Sequence, residues 1–136
     1  MGGVVHFEIP ADDQERARKF YQEALGWRVE PVPGMDYSMV ITTDMDAATG
    51  QPTAAGAING GMMAREGRVT HPVITVDVPD INATLKTVEE LGGAVVIPRS
   101  EIPGVGYTAY FQDSEGNVMG LWENVAPQAP GTPDGA

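Results

Sequence analysis

Alternation of apolar and polar residues marks the first strand at once. From Val4 to Pro10, His6, Glu8 and Pro10 share one face, and Val5, Phe7 and Ile9 share the other. One face is apolar and the other carries polar chemistry. Asp12 with Glu15 fits a capping box, after which Ala17, Phe20, Tyr21, Ala24 and Leu25 fall at helical spacing and Gly26 supplies a C-terminal cap. Strands are then expected from Trp27 to Val32, from Tyr37 to Thr42 and from Gly56 to Met63, with Pro33-Gly34 as a turn and Asp44 to Ala55 as a loop. Tyr37, Met39 and Ile41 face together. Gly60-Gly61 interrupts the fourth strand and reads as a bulge or a place where a ligand approaches the backbone, with the bulge favoured.

After the polar linker Arg65 to Thr70 the pattern begins again. His71, Val73 and Thr75 share one strand face and Pro72, Ile74 and Val76 the other. Pro79-Asp80 opens a second helix whose apolar stripe is Ile81, Leu85, Val88 and Leu91, closed by Gly92-Gly93. Strands follow from Ala94 to Pro98, Tyr107 to Gln112 and Val118 to Glu123, the last two joined by the loop Asp113 to Asn117. The order is strand, helix, strand, strand, strand, twice. A repeat of about 60 residues occurring twice predicts two modules rather than a solenoid. The fold class is therefore α+β, two βαβββ modules whose curved four-stranded mixed sheets pair into a cup with the helices outside. Residues 1–125 form one domain, with module one over about 4–64, module two over about 69–124, and 126–136 as a Pro/Gly-rich tail expected to be disordered.

Composition narrows the partners. A formal net charge of −11 disfavours nucleic acid and anionic membranes, which need clustered lysine and arginine, and leaves a cationic small ligand welcome. Cysteine is absent, so thiolate chemistry is excluded and a reducing cytoplasm fits. No apolar run approaches the ~18 residues of a membrane span.

Taken together, the stretches His6-Phe7-Glu8-Ile9-Pro10-Ala11-Asp12-Asp13, Phe20-Tyr21 with Leu25-Gly26-Trp27, Ile58-Asn59-Gly60-Gly61-Met62-Met63, Pro103-Gly104-Val105-Gly106-Tyr107 and Asp113-Ser114-Glu115-Gly116-Asn117 with Leu121-Trp122-Glu123 resemble one family. It is the vicinal oxygen chelate superfamily, which includes glyoxalase I, extradiol dioxygenases and bleomycin-resistance proteins. The resemblance spans Val4 to Asn124 and is nearest the glyoxalase-related branch. In metal-using members four ligands come from the first and last strands of the two modules. The resemblance places His6 and His71 on the first-strand positions, whereas the last-strand positions fall in Asn59-Gly60-Gly61 and at Gly120, where metal-using members usually carry a glutamate.

Two functions follow from that resemblance. One is a cytoplasmic homodimer that binds, and sequesters, a small organic molecule in the cup, lined by Tyr37, Met39, Asn59, Gly60, Gly61, Tyr107, Ala109, Phe111, Gly120 and Trp122, with no metal. The other is a lyase or isomerase of the lactoylglutathione-lyase type, with one divalent ion (Ni, Zn, Mn or Fe) on His6 and His71 and Glu8, on the same strand face as His6, either completing a two-histidine, one-carboxylate set or acting as general base.

Overall fold

The computed structural model describes residues 2–125. The tail expectation at 126–136 lies outside the described residues. The observed order is β1 (Val4–Ala11), α1 (Gln14–Leu25), β2 (Arg28–Pro31), β3 (Tyr37–Ile41), β4 (Gly60–Ala64), then β5 (Val73–Asp77), α2 (Ile81–Glu90), β6 (Ala94–Ile102), β7 (Gly106–Gln112) and β8 (Val118–Asn124). This is an α+β chain with the βαβββ order twice, as the patterning predicts.

Compact packing does not follow the repeat. Val4–Val76 cluster as one unit and the described residues from Asp77 to Val125, with Gly2 and Gly3, as another. β5 opens the second repeat, yet it hydrogen-bonds to β1 with His6 opposite Thr75, Phe7 opposite Ile74 and Glu8 opposite Val73. In the first unit β1 also lies parallel to β4, which pairs antiparallel with β3, and β3 with β2.

The apolar face of β1 is the one that packs. Ala11, Val29, Val40 and Met62 form a buried cluster, and Phe7, Ile9, Ala17, Tyr21 and Trp27 pack against it. Tyr21 stacks on Trp27 at 5.2 Å between ring centroids, which fixes α1 over this face. The helix begins one residue later than its capping-box signal: Asp13 is the N-cap and accepts from the Arg16 amide at 3.0 Å. Asp12 is engaged elsewhere, by the Arg65 guanidinium at 2.7 Å. Gly26 closes α1 at φ 72°, where a glycine escapes the Cβ penalty. The expected stripe is narrower than its spacing suggested, since Phe20 is 62% and Leu25 55% exposed, leaving Ala17 and Tyr21 to make the contact.

Gly60 and Gly61 are not a bulge. They pair in unbroken register with Phe7 and Glu8 on one side and Val40 and Met39 on the other. Their bareness serves close approach instead. A Cβ on Gly60 would overlap the Phe7 ring and carbonyl on the packed face, and one on Gly61 would overlap the Tyr37 phenol on the opposite face.

In the second unit α2 is capped by Asp80, whose side chain accepts from the Ala83 amide at 3.1 Å. Ile81 and Leu85 are buried, whereas Leu91, expected in the stripe, is 76% exposed because the helix has already ended at Glu90. Glu123 on β8 accepts from the Ile81 amide at 2.9 Å and pairs with Arg99 on β6 at 3.0 Å. Arg99 also stacks 3.6 Å over the Tyr107 ring.

Candidate functional site

A polar cluster stands on the face of the first unit that α1 leaves bare. It is built from three neighbouring strands, because β4 carries no side chain at Gly61 and so lets Tyr37 of β3 reach across to β1. The Tyr37 hydroxyl lies 3.2 Å from His6 Nε2 and donates to Glu8 Oε2 at 3.5 Å. His6 Nε2 and Glu8 Oε2 are themselves 4.0 Å apart. A phenol has a single proton to give, so with Glu8 receiving it the arrangement is satisfied when His6 Nε2 carries its own proton and donates to the Tyr37 oxygen. The result is a one-way relay from imidazole through phenol to carboxylate.

Burial sets the electrostatics. The His6 side chain is 34% exposed and that of Glu8 13%. Desolvation holds the His6 pKa below its ordinary value of 6.5, with the Glu8 charge acting against it. Burial, the charge of Glu8 and the hydrogen bond to Glu8 push the Tyr37 phenol well up, so it is a donor and never an anion near neutrality. A neutral imidazole beside a protonated phenol and a carboxylate suits recognition of a hydrogen-bonding head group, and suits movement of a proton.

The other expected site residues fall as follows. Met39, paired with Gly61, is 41% exposed on the same face as Tyr37, and Met63 stands opposite Tyr37. Asn59 is a clip, its Oδ1 accepting from the Thr42 and Thr43 amides at 2.8 and 3.1 Å. Gly60 makes room on the packed side for Phe7. In the second unit the register divides the expected lining. Tyr107, Ala109 and Phe111 stand opposite Glu123, Leu121 and Met119, on the face where Glu123 reaches the start of α2. Gly120 and Trp122, opposite Tyr110 and Thr108, stand on the other face. Trp122 lies over the bare Gly106 and donates from Nε1 to Asn124 at 3.0 Å. Thr75, buried opposite His6, and Met63 belong to the first-unit face and were not singled out from sequence. Alternation alone was the signal for both.

His71 does not join His6. It precedes β5, is exposed, and its Nδ1 lies 3.0 Å from the Thr70 hydroxyl. Extending the register of β1 and β5 sets His71 beside Pro10, about four residues or roughly 13 Å of strand from His6. Among the described residues no three His, Cys, Asp or Glu side chains gather as an ion would require. The donor set therefore does not fit the ion implied by the resemblance. A surface concavity of about 330 Å³ is lined by Ile9, Arg16, Phe20, Tyr21 and Arg65 among others and does not include the relay.

Comparison with known proteins agrees with this fold. The profile of the bleomycin resistance protein-like N-terminal family matches residues 4–43. A glyoxylase-like domain-containing protein of Didymella fabae is 30% identical over 126 residues, 88% of this chain and 92% of that protein. The chain belongs to the vicinal oxygen chelate superfamily. CFP32 of Mycobacterium bovis, which carries a glyoxylase name, is 31% identical over 120 residues, 85% of this chain. This chain spans only 43% of the length of CFP32. A solved superfamily member from Vibrio splendidus superposes with a TM-score of 0.58 at 16% identity, covering 92% of this chain and 100% of its own, a likeness of fold alone.

Proposed function

We propose that the chain binds a small organic molecule on the first-unit face that carries His6, Glu8 and Tyr37, and sequesters it. The observation that supports this reading is the relay itself: three polar side chains from β1 and β3 are held together above a bare glycine, beside the half-exposed thioether of Met39. A hydrogen-bonding head would meet the relay and an apolar body the methionine, the usual division of labour in a ligand site. The net charge of −11 favours a neutral or cationic ligand over an anion. The expected homodimer is checked by the mass in solution from light scattering.

The test is a thermal-shift screen of neutral and cationic small molecules in buffer containing a chelator. A true ligand at 100 times its Kd stabilises the folded chain by about 2.7 kcal/mol, and the shift should shrink in Glu8→Gln and Tyr37→Phe. Shifts that occur only when metal is added, or that are unchanged in both variants, would remove the reading.

A second reading is supported by the place of Glu8 at the accepting end of the relay: Glu8 takes a proton from carbon beside a carbonyl, as in an isomerase or lyase, and the Tyr37 hydroxyl, no longer donating to the protonated carboxyl, turns to the oxygen that gains charge. Its check is incorporation of solvent deuterium into α-hydroxy carbonyl and hemithioacetal substrates, abolished in Glu8→Gln.

A further inference from the structure

We infer that Tyr37 stands in for a metal ion as the group that organises His6 and Glu8, and that Gly61 is bare so that the phenol can take that place. A bound divalent ion would make definite demands on this face. It would need the lone pair of an imidazole nitrogen and at least one carboxylate oxygen turned to a common point, with further donors around it. In the first unit the nitrogen nearest that point is His6 Nε2, and the oxygen is Glu8 Oε2. Both are already turned to the Tyr37 hydroxyl, at 3.2 and 3.5 Å.

The sense of the hydrogen bonds closes the position further. Tyr37 donates to Glu8, so His6 Nε2 carries a proton toward the phenol oxygen and offers no lone pair there. The second imidazole gives no help, since His71 lies beyond the end of β5 and sits against the Thr70 hydroxyl. Gly61 is the independent observation. Any side chain there would collide with the Tyr37 phenol, so the absence of one on β4 and the presence of a tyrosine two residues before Met39 on β3 are parts of one arrangement. A ligand reaching this face meets imidazole and phenol directly, without an ion between.

This inference concerns the same face as the ligand-binding reading and rests on it for the site's importance, but its test uses metal ions alone, so the two fail separately. Tag-free protein is titrated calorimetrically with nickel, zinc, manganese and iron(II), each alone, as wild type, His6→Ala, Tyr37→Phe and the Tyr37→Phe, His6→Ala double variant, with a melting curve for each. Wild type should show no binding that His6→Ala loses. Tyr37→Phe, which removes the phenol oxygen from between both donors while keeping a ring over Gly61, should gain at least tenfold in affinity for zinc or nickel, and the double variant should cancel the gain. One ion per wild-type chain, lost in His6→Ala, would overturn the inference, and so would a Tyr37→Phe affinity equal to that of wild type. A long-range proton–nitrogen spectrum of the wild-type imidazoles tests the same point without a variant. Protonation of His6 at Nε2 is expected, and a proton at Nδ1 alone would contradict the relay.

Discussion

Each repeat gathers its polar side chains around one carboxylate, and the two clusters do opposite things. In the second unit Glu123 is held by Arg99 and by the first amide of α2, with Arg99 stacked on Tyr107, so a charged pair is tied into the helix-bearing side. In the first unit Glu8 meets a tyrosine and a histidine, on the side that α1 leaves bare. A carboxylate that satisfies a guanidinium and a helix N-terminus is committed to the fold. One that faces a phenol at 3.5 Å and a neutral imidazole at 4.0 Å is held less tightly by those two groups.

The two bare glycines break the comparison most strongly. A Cβ on Gly106 would meet the Glu123 carbonyl at 2.8 Å as well as the Trp122 ring, and a backbone carbonyl cannot swing aside. Gly106→Ala should cost about 3 kcal/mol, the upper part of the overpacking range, with only part of that relieved in the Gly106→Ala, Trp122→Ala double variant because the carbonyl clash remains. Gly61→Ala collides with the Tyr37 side chain alone and should cost about 1–2 kcal/mol, with most of that cost relieved in the Gly61→Ala, Tyr37→Ala double variant. Urea unfolding of the wild type, the four single variants and the two double variants measures both couplings.

Removing the second-unit carboxylate has a smaller effect. Glu123→Gln should lose about 1 kcal/mol, because the amide keeps a hydrogen bond to the Ile81 amide and gives up the ion pair. The Arg99 hydrogen bond, then the Ile81 amide, holds the Glu123 pKa below its ordinary 4.5. Its contribution is therefore complete above the unfolded carboxylate pKa and is lost as pH falls through the lower folded value. Acid unfolding followed by circular dichroism should show a shallower slope below pH 4.5 in the variant.

The first-unit counterpart acts at higher pH. Burial lowers the His6 pKa from 6.5, against the opposing charge of Glu8, so the unfolded chain binds the extra proton first. Stability is complete above 6.5 and declines as pH falls through the lower folded value. His6→Gln should flatten the pH dependence of the melting temperature below pH 6.5. Least of all, Phe20→Ala should change stability by less than about 0.5 kcal/mol, since the ring is 62% exposed.

The element order was legible because each strand and helix carries its own period and its own punctuation, as Asp80 before Ile81 and Gly26 after Leu25 show. The cluster was legible only in part. Alternation put His6 and Glu8 on one face of β1 and Tyr37 with Met39 on one face of β3, but it could not say that β4 would come between them with a glycine at the crossing. Pairing between strands distant in sequence is set by tertiary packing, and no local period reports it. His71 shows the same limit from the other side. Parity put it with Val73 and Thr75, but the strand begins only at Val73, after Pro72 has removed a ladder donor, so the alternation does not extend to it. The stripe of α1 was overread because spacing names a face and not how much of that face a small sheet can cover.

The most direct test of the first-unit face as a ligand site is an amide chemical-shift map of the uniformly labelled chain, in chelator-containing buffer, against the compound that most raises its melting temperature. The account predicts that the largest shifts fall on His6, Glu8, Tyr37, Met39 and Gly61. Shifts centred instead on the concavity of Arg16, Phe20 and Arg65, with those five residues unmoved, would contradict it.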